Sequence, residues 1–216
     1  ATGTIRFVPS LAKRFEFSSD HKSLTYFLRS DVVWEDGARV TAKDIQFTFQ
    51  RINDPELASP RKDQIQMLVT DEKNDITDAI EIVNDSTITF HFKNVYPNQI
   101  YDTNLQPGFL PYHLLKDVKP SAWRQSAFNL HPVSAGAFRM KDWRKQEQIV
   151  YETNGLNPFS SRTAKIIFRV IPEYTTRLTA LKTGEADVMY PINPQDVPAL
   201  KKENSHIRLE SMKARY

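Results

Sequence analysis

The chain has 216 residues, 29 Lys+Arg against 26 Asp+Glu, a formal charge of +3, six Gly and no Cys. That length gives room for one domain or two small ones with a core of their own, so no metal or disulfide staple is required. The missing Cys excludes disulfides, thiolate nucleophiles, iron–sulfur clusters and cysteine zinc sites, and basic residues that never run beyond two in a row exclude a nucleic-acid footprint.

No stretch approaches the ~20 apolar residues that span a bilayer. The opening Ala1-Thr2-Gly3-Thr4 carries neither the charged n-region nor the apolar h-region of a signal peptide, which says nothing of the native address. Glycines are too few and too scattered for a dinucleotide or P-loop fingerprint.

Ile5-Arg6-Phe7-Val8 is a short apolar run. Phe15 and Phe17 alternate on one face of a strand, Ser18 to His21 is turn chemistry, and Leu24-Thr25-Tyr26-Phe27-Leu28 returns as the second arm of an antiparallel hairpin. Asp36-Gly37 marks a turn, because glycine accepts positive φ without penalty. Thr41 and Asp44 then cap a helix whose apolar face is Ile45, Phe49 and Ile52 with Phe47 beside it; Asn53-Asp54-Pro55 stops it. A second hairpin spans 79–83 and 87–92, with Ile88, Phe90 and Phe92 as its inward row.

The segment 96–119 is punctuated by prolines and holds a short helix at 111–115. Residues 138–143 and 148–152 form a third hairpin. The last third alternates: a strand at 165–171, a helix at 174–182 with Leu178 and Leu181 buried and Gly184 as its left-handed cap, a strand at 186–190, a helix at 195–202 and a strand at 207–210. That order predicts an α/β fold, a mixed sheet with flanking helices plus antiparallel hairpins.

Few residues point to chemistry. The five histidines, His21, His91, His113, His131 and His206, show no metal-ligand spacing. Asp71, Glu72, Asp75 and Asp78 lack the turn glycine and closing glutamate of a calcium loop, and Lys73 interrupts them. No Gly-x-Ser-x-Gly elbow occurs, Ser134-Ala135-Gly136 has no base nearby, and Glu35-Asp36 reads as a solvated turn. No catalytic residue, metal site or cofactor is therefore expected. Phe15, Phe17, Phe90 and Phe92 read as core. Tyr190-Pro191-Ile192-Asn193-Pro194 differs from them. It follows an expected strand at the end where open α/β sheets place ligands, and Asn193 offers both a donor and an acceptor. Cleft lining and a rigid strand-to-helix connection stand level as its explanation.

Several ordered motifs carry a resemblance. Leu11-Ala12 before Phe15-Glu16-Phe17, Thr25-Tyr26-Phe27-Leu28-Arg29, Val33-Trp34-Glu35-Asp36-Gly37 and Val40-Thr41-Ala42-Lys43-Asp44 open the series. Asp54-Pro55 with Ala58-Ser59-Pro60, Asn84-Asp85-Ser86-Thr87, and the run from His131 through Ser134-Ala135-Gly136-Ala137-Phe138 to Trp143 continue it. Ala180-Leu181-Lys182-Thr183-Gly184-Glu185-Ala186-Asp187-Val188 closes it. Together they resemble the family 5 extracellular solute-binding proteins, the oligopeptide, dipeptide and nickel binders of ABC importers, over nearly the whole chain. Ser134-Ala135-Gly136-Ala137 stands where the family usually has Gly-Thr-Gly-Pro. Met67 falls near a position where peptide binders place an aromatic cleft residue.

The resemblance implies a periplasmic binding protein type II-like fold, of which this chain supplies one lobe. Residues 1–115 would be a peripheral hairpin-rich subdomain. Residues 116–216 would be part of the main α/β lobe, ending near the hinge at Lys213 to Tyr216, with the second lobe outside this chain. It implies a non-enzymatic capture component, periplasmic or a cell-surface lipoprotein, that binds a peptide or similar solute and delivers it to ABC permease subunits. Such a protein meets the membrane only through the transporter or a lipid anchor. Tyr190, Ile192, Asn193 and Met67 are the expected ligand contacts. A ligand-sensing domain of a regulatory protein on the same fold is the alternative; a periplasmic hydrolase would need a nucleophile–base pair that no motif supplies.

Overall fold

The period-2 runs and the capped helix form largely where the sequence places them. A computed structural model describes residues 7–68, 70, 75–104, 108–159, 161–203 and 206–210. Ile5, Arg6, Asp71, Glu72, Lys73 and the segment from Lys213 to Tyr216 lie outside the described residues. The chain divides into two units, Ala1–Trp143 with Val150–Ile166, and Arg144–Ile149 with Ile167–Tyr216.

In the first unit, β1 (Ala12–Phe17), β2 (Ser23–Leu28), β3 (Ile80–Asn84) and β4 (Thr87–His91) make an antiparallel sheet of order β1-β2-β4-β3. Register does the sorting. Leu24 pairs with Phe90, which pairs with Ile80, while Tyr26 pairs with Ile88 and Ile88 with Ile82. Directly opposed residues share a face, so these rows build one apolar surface. Helix α1 (Ala42–Asn53) lays Ile45, Phe49 and Ile52 on it, and all three are buried in the same cluster as Leu24, Ile80, Ile88 and Phe90. Each such side chain contributes about 1.5–3 kcal/mol on burial.

The opposite face carries a polar row. Thr25 and Thr89 share a hydrogen bond of 2.9 Å, and Ser23 Oγ, His91 and Glu81 are linked in turn at 2.9 and 3.2 Å. Phe92 is buried as expected, but Phe15 is 37% exposed. The reason is position. Phe15 faces the apolar side, yet it sits on the outermost strand and packs edge-on against Phe17 and at a tilt against Tyr26 instead of under α1.

The N-terminus of α1 gathers more than its own cap. Asp44, 2% exposed, accepts from Thr41 N–H at 2.7 Å and Thr41 Oγ1 at 3.2 Å, and from Tyr112 N–H at 2.8 Å. One turn later Thr48 Oγ1 donates to Asp44 O at 2.6 Å and accepts from Leu110 N–H at 2.8 Å. Residues 110–112, which lead into the short helix α3 (Tyr112–Leu115), are thereby pinned to α1. Helix α2 (Gln99–Thr103) is tied back by Gln99, whose side chain donates to His21 O.

A second sheet has the order β5-β6-β7, from β5 (Phe138–Arg144), β6 (Gln148–Thr153) and β7 (Lys165–Arg169). In the second unit, helix α4 (Tyr174–Thr183) buries Ala180 and Leu181, half-buries Leu178, and ends at Gly184, whose φ of +76° is the left-handed cap. Helix α5 (Val197–Glu203) follows a single 3-10 turn over Pro194–Asp196.

Two expected strands do not form. Residues 186–190 and 207–210 have no ladder in the described structure. A strand exists only through a neighbour that takes its N–H and C=O groups. Ala186 N–H turns back to Ala180 O at 3.0 Å, and Val188 is left 83% exposed. The expected β-α-β-α-β alternation is thus β7, α4 and α5 with irregular connections. The mixed α/β class stands.

Candidate ligand-binding site

The segment from Tyr190 to Asn193 leaves α4 by way of that unpaired stretch and enters the 3-10 turn at Pro194. Tyr190 is 81% exposed, whereas Ile192 and Asn193 are half-buried. What fixes the segment is the first residue of α4. Tyr174 Oη donates to Asp196 Oδ2 at 2.6 Å and accepts from Asn193 N–H at 3.1 Å. The bond to the Asp196 carboxylate holds the Tyr174 phenol above its usual range. Arg177, three residues on, donates to Ile171 O and Pro172 O, both at 2.6 Å, with its guanidinium 5.8 Å from the Tyr174 ring centre.

Met67 belongs to the first unit. It is half-buried beside the 3-10 turn Lys62–Ile65, its carbonyl accepts from Lys93 N–H at 2.9 Å, and the neighbouring Leu68 bridges to Phe92. Tyr190, Ile192 and Asn193 therefore stand together in one unit, and Met67 stands in the other.

The first unit also holds a cavity of about 900 Å³ that no sequence pattern announces. Leu11, Tyr26, Trp34, Phe128, Val133 and Phe159 line it, with residues 134–137. Its wall is braced from far along the chain. Asn157 donates to Val33 O and Ala135 O and accepts from Val33 N–H at 2.7, 3.1 and 2.8 Å, while Glu35 N–H donates to Ser134 O at 2.9 Å. Ser134 Oγ closes its own turn by donating to Phe138 O and accepting from Gly136 N–H. Burial pushes the Tyr26 phenol up to about 12, and its hydroxyl lies 2.7 Å from Thr103 Oγ1. Trp34 is 4% exposed and its Nε1–H makes no hydrogen bond within the described residues.

The turn carrying Trp34 is closed by Gly37, at φ +89°, and by Asp36, whose carboxylate meets His113 Nε2 at 2.7 Å. Partial burial pushes the Asp36 carboxyl up, but the His113 contact and the Ala38 N–H outweigh it and hold the group below its ordinary 3.8. Because the folded value is depressed, the stabilisation is full above the unfolded value and drains away as pH falls through the folded one. Lowering pH from about 5 to about 3 is expected to reduce the thermal midpoint, with a shallower fall in Asp36→Ala. Identical slopes in thermal melts of the two proteins would contradict that assignment.

Ser23, His91 and Glu81 make a run of the residue types used in nucleophilic relays, but they lie on the open sheet face, and none of them lines the cavity. They are cross-strand partners in a polar row. Among the described residues no three His, Asp or Glu side chains gather as a metal site, and no helix is long and apolar enough to cross a membrane.

The profile of the bacterial extracellular solute-binding proteins, family 5 Middle, matches residues 6–214. The chain belongs to this family. Among family 5 relatives, it is 27% identical to the periplasmic oligopeptide-binding protein OppA of Salmonella typhimurium, over 90% of this chain and 37% of that protein. It superposes on Haemophilus influenzae OppA in complex with the peptide RPPGFSPFR with a TM-score of 0.75 and 27% identity, covering 91% of this chain and 40% of that one. For Campylobacter jejuni NikZ, in complex with Ni(L-His), the TM-score is 0.76 and the identity 25%, over 91% and 37% of the two chains. The chain thus spans about two-fifths of the length of the family 5 proteins it matches.

Within this family 5 chain, sequence reasoning singled out Tyr190, Ile192 and Asn193 but missed Tyr174 and Asp196, which hold them. Their separations, 22 residues between Tyr174 and Asp196 and 19 between Tyr174 and Asn193, match no helical or strand period. Only an aromatic hydroxyl at a helix start, with an acid in the following connection, hinted at the pairing.

Proposed function

We propose that this chain is part of the capture component of an ABC importer, which binds peptides or a similar small solute in the periplasm or at the cell surface and delivers them to permease subunits without chemical conversion. The observation that carries the reading is the family 5 match across residues 6–214. Relatives named for oligopeptide binding, one of them in complex with a peptide, support the peptide class. Residues 1–115 serve as the peripheral subdomain and 116–216 as part of the main α/β lobe, with a second lobe elsewhere in the protein. Closure of two lobes around the ligand then presents it to the transporter.

Tyr190, Ile192, Asn193 and Met67 are the proposed contacts. An exposed phenol on a braced segment supplies rigid area for a ligand at low entropic cost. The test is mass spectrometry of small molecules retained by the full-length protein that carries this chain, followed by calorimetry with the dominant species. Peptides are expected, and Tyr190→Ala is expected to raise Kd about tenfold, or about 1.4 kcal/mol. Recovery of only a non-peptide solute, or catalytic turnover of the bound species, would replace this reading.

A further inference from the structure

We propose that Tyr174 is a positioning residue that locks residues 190–193 so that the Asn193 carboxamide is presented to the backbone of an extended peptide; this rests on the peptide reading above. The lock has three parts, all in the second unit. Tyr174 Oη takes Asn193 N–H at 3.1 Å and gives its own proton to Asp196 Oδ2 at 2.6 Å. Arg177 fastens the same helical turn to Ile171 O and Pro172 O. Pro191 lies within the segment and Pro194 follows it, and neither has an N–H to give.

The consequence for recognition follows from which donors remain. The Asn193 main-chain N–H is spent on Tyr174, so a ligand cannot claim it. The Asn193 side chain is half-buried and forms no hydrogen bond among the described residues. Its carboxamide carries one acceptor oxygen and a two-proton donor nitrogen. A peptide unit presents the complementary pair, a C=O and an N–H, at every residue but proline, whatever its side chain. A fixed carboxamide therefore reads peptide backbone rather than side chains, while Tyr190, three residues earlier, offers exposed aromatic surface. Without the Tyr174 bond the same carboxamide would sweep through several positions, and each binding event would have to order it.

The experiment uses the full-length protein carrying this chain, an equimolar tri- to pentapeptide library as probe, and the variants Tyr174→Phe, Asp196→Asn, Asp196→Ala and Asn193→Ala. In Tyr174→Phe, amide exchange at residue 193 is expected to quicken about tenfold, with exchange over 42–53 and the thermal midpoint unchanged. Asp196→Asn keeps an acceptor oxygen for the phenol and should stay within about twofold of wild type; Asp196→Ala should behave like Tyr174→Phe. Peptide retained from the library should fall about fivefold to tenfold in Tyr174→Phe and Asn193→Ala. Unchanged exchange at residue 193 in Tyr174→Phe overturns the lock, whatever the peptide result. Faster exchange with undiminished retention overturns the presentation of Asn193. A wild-type protein that retains no peptide overturns the peptide reading itself, and exchange alone then decides the lock.

Discussion

Truncating Phe49 to alanine is expected to lower stability by about 3–5 kcal/mol, the range for removing a fully enclosed phenylalanine. Phe49 has no exposed surface, and its ring meets that of Phe90 at 5.1 Å in an edge-on arrangement. Phe90 is the middle of the Leu24–Phe90–Ile80 row, so the void would open where three strands and α1 converge. Neighbours anchored in a sheet collapse poorly into such a space, which favours the upper part of the range. Denaturant unfolding followed by tryptophan fluorescence suits the test, because Trp34, Trp123 and Trp143 all belong to the first unit. The midpoint should fall with an unchanged slope. A loss below about 1 kcal/mol would show that α1 does not seal this face.

Asp44→Ala is expected to cost about 2–4 kcal/mol, more than an ordinary helix cap. The carboxylate is 2% exposed and satisfies Thr41 N–H, Thr41 Oγ1 and Tyr112 N–H at once. Removing it strands buried donors, whose lost hydration has no replacement. Asp44→Asn should fare little better, since any orientation of the amide turns an NH2 toward a site that now receives a proton. Limited proteolysis separates this from simple helix fraying. Cleavage should appear at 108–116, where the docked segment is released, before it appears within α1. Equal resistance in wild type and variant would refute the docking role.

These two residues also mark what could be read in advance. Phe49 and Asp44 were visible as a helix face and a helix start, because both signals are local: a 3.6-residue period and a cap. The hairpins followed from alternation, and Gly184 from the need for positive φ at a helix end. The third bond of Asp44 was not visible. Tyr112 lies 68 residues away, and no periodicity links a carboxylate to a distant main-chain N–H. Residues 186–190 misled for a related reason. Their composition suits a strand, but pairing is a property of the neighbour, and Ala186 N–H goes back to α4 instead. Phe15 looked like core because alternation gives the face and not the distance from the sheet's edge. At the candidate site, an aromatic ahead of two prolines was legible, while the Tyr174–Asp196 brace and the cavity around Trp34 arise only from tertiary approach.

The hydrogen bonding of residues 110–112 to α1 draws on main-chain N–H groups alone as donors. It therefore taxes position and leaves identity free: at 110 and 112 any residue except proline supplies the same proton. Drift can replace Leu110 and Tyr112 without losing either bond, so long as Asp44 and Thr48 persist as acceptors; a change at 112 gives up only the edge-on contact of its ring with Phe47 at 5.5 Å. In a chain about 27% identical to a relative, such asymmetric dependence lets one half of a contact vanish from the sequence record while the architecture it secures stays in place.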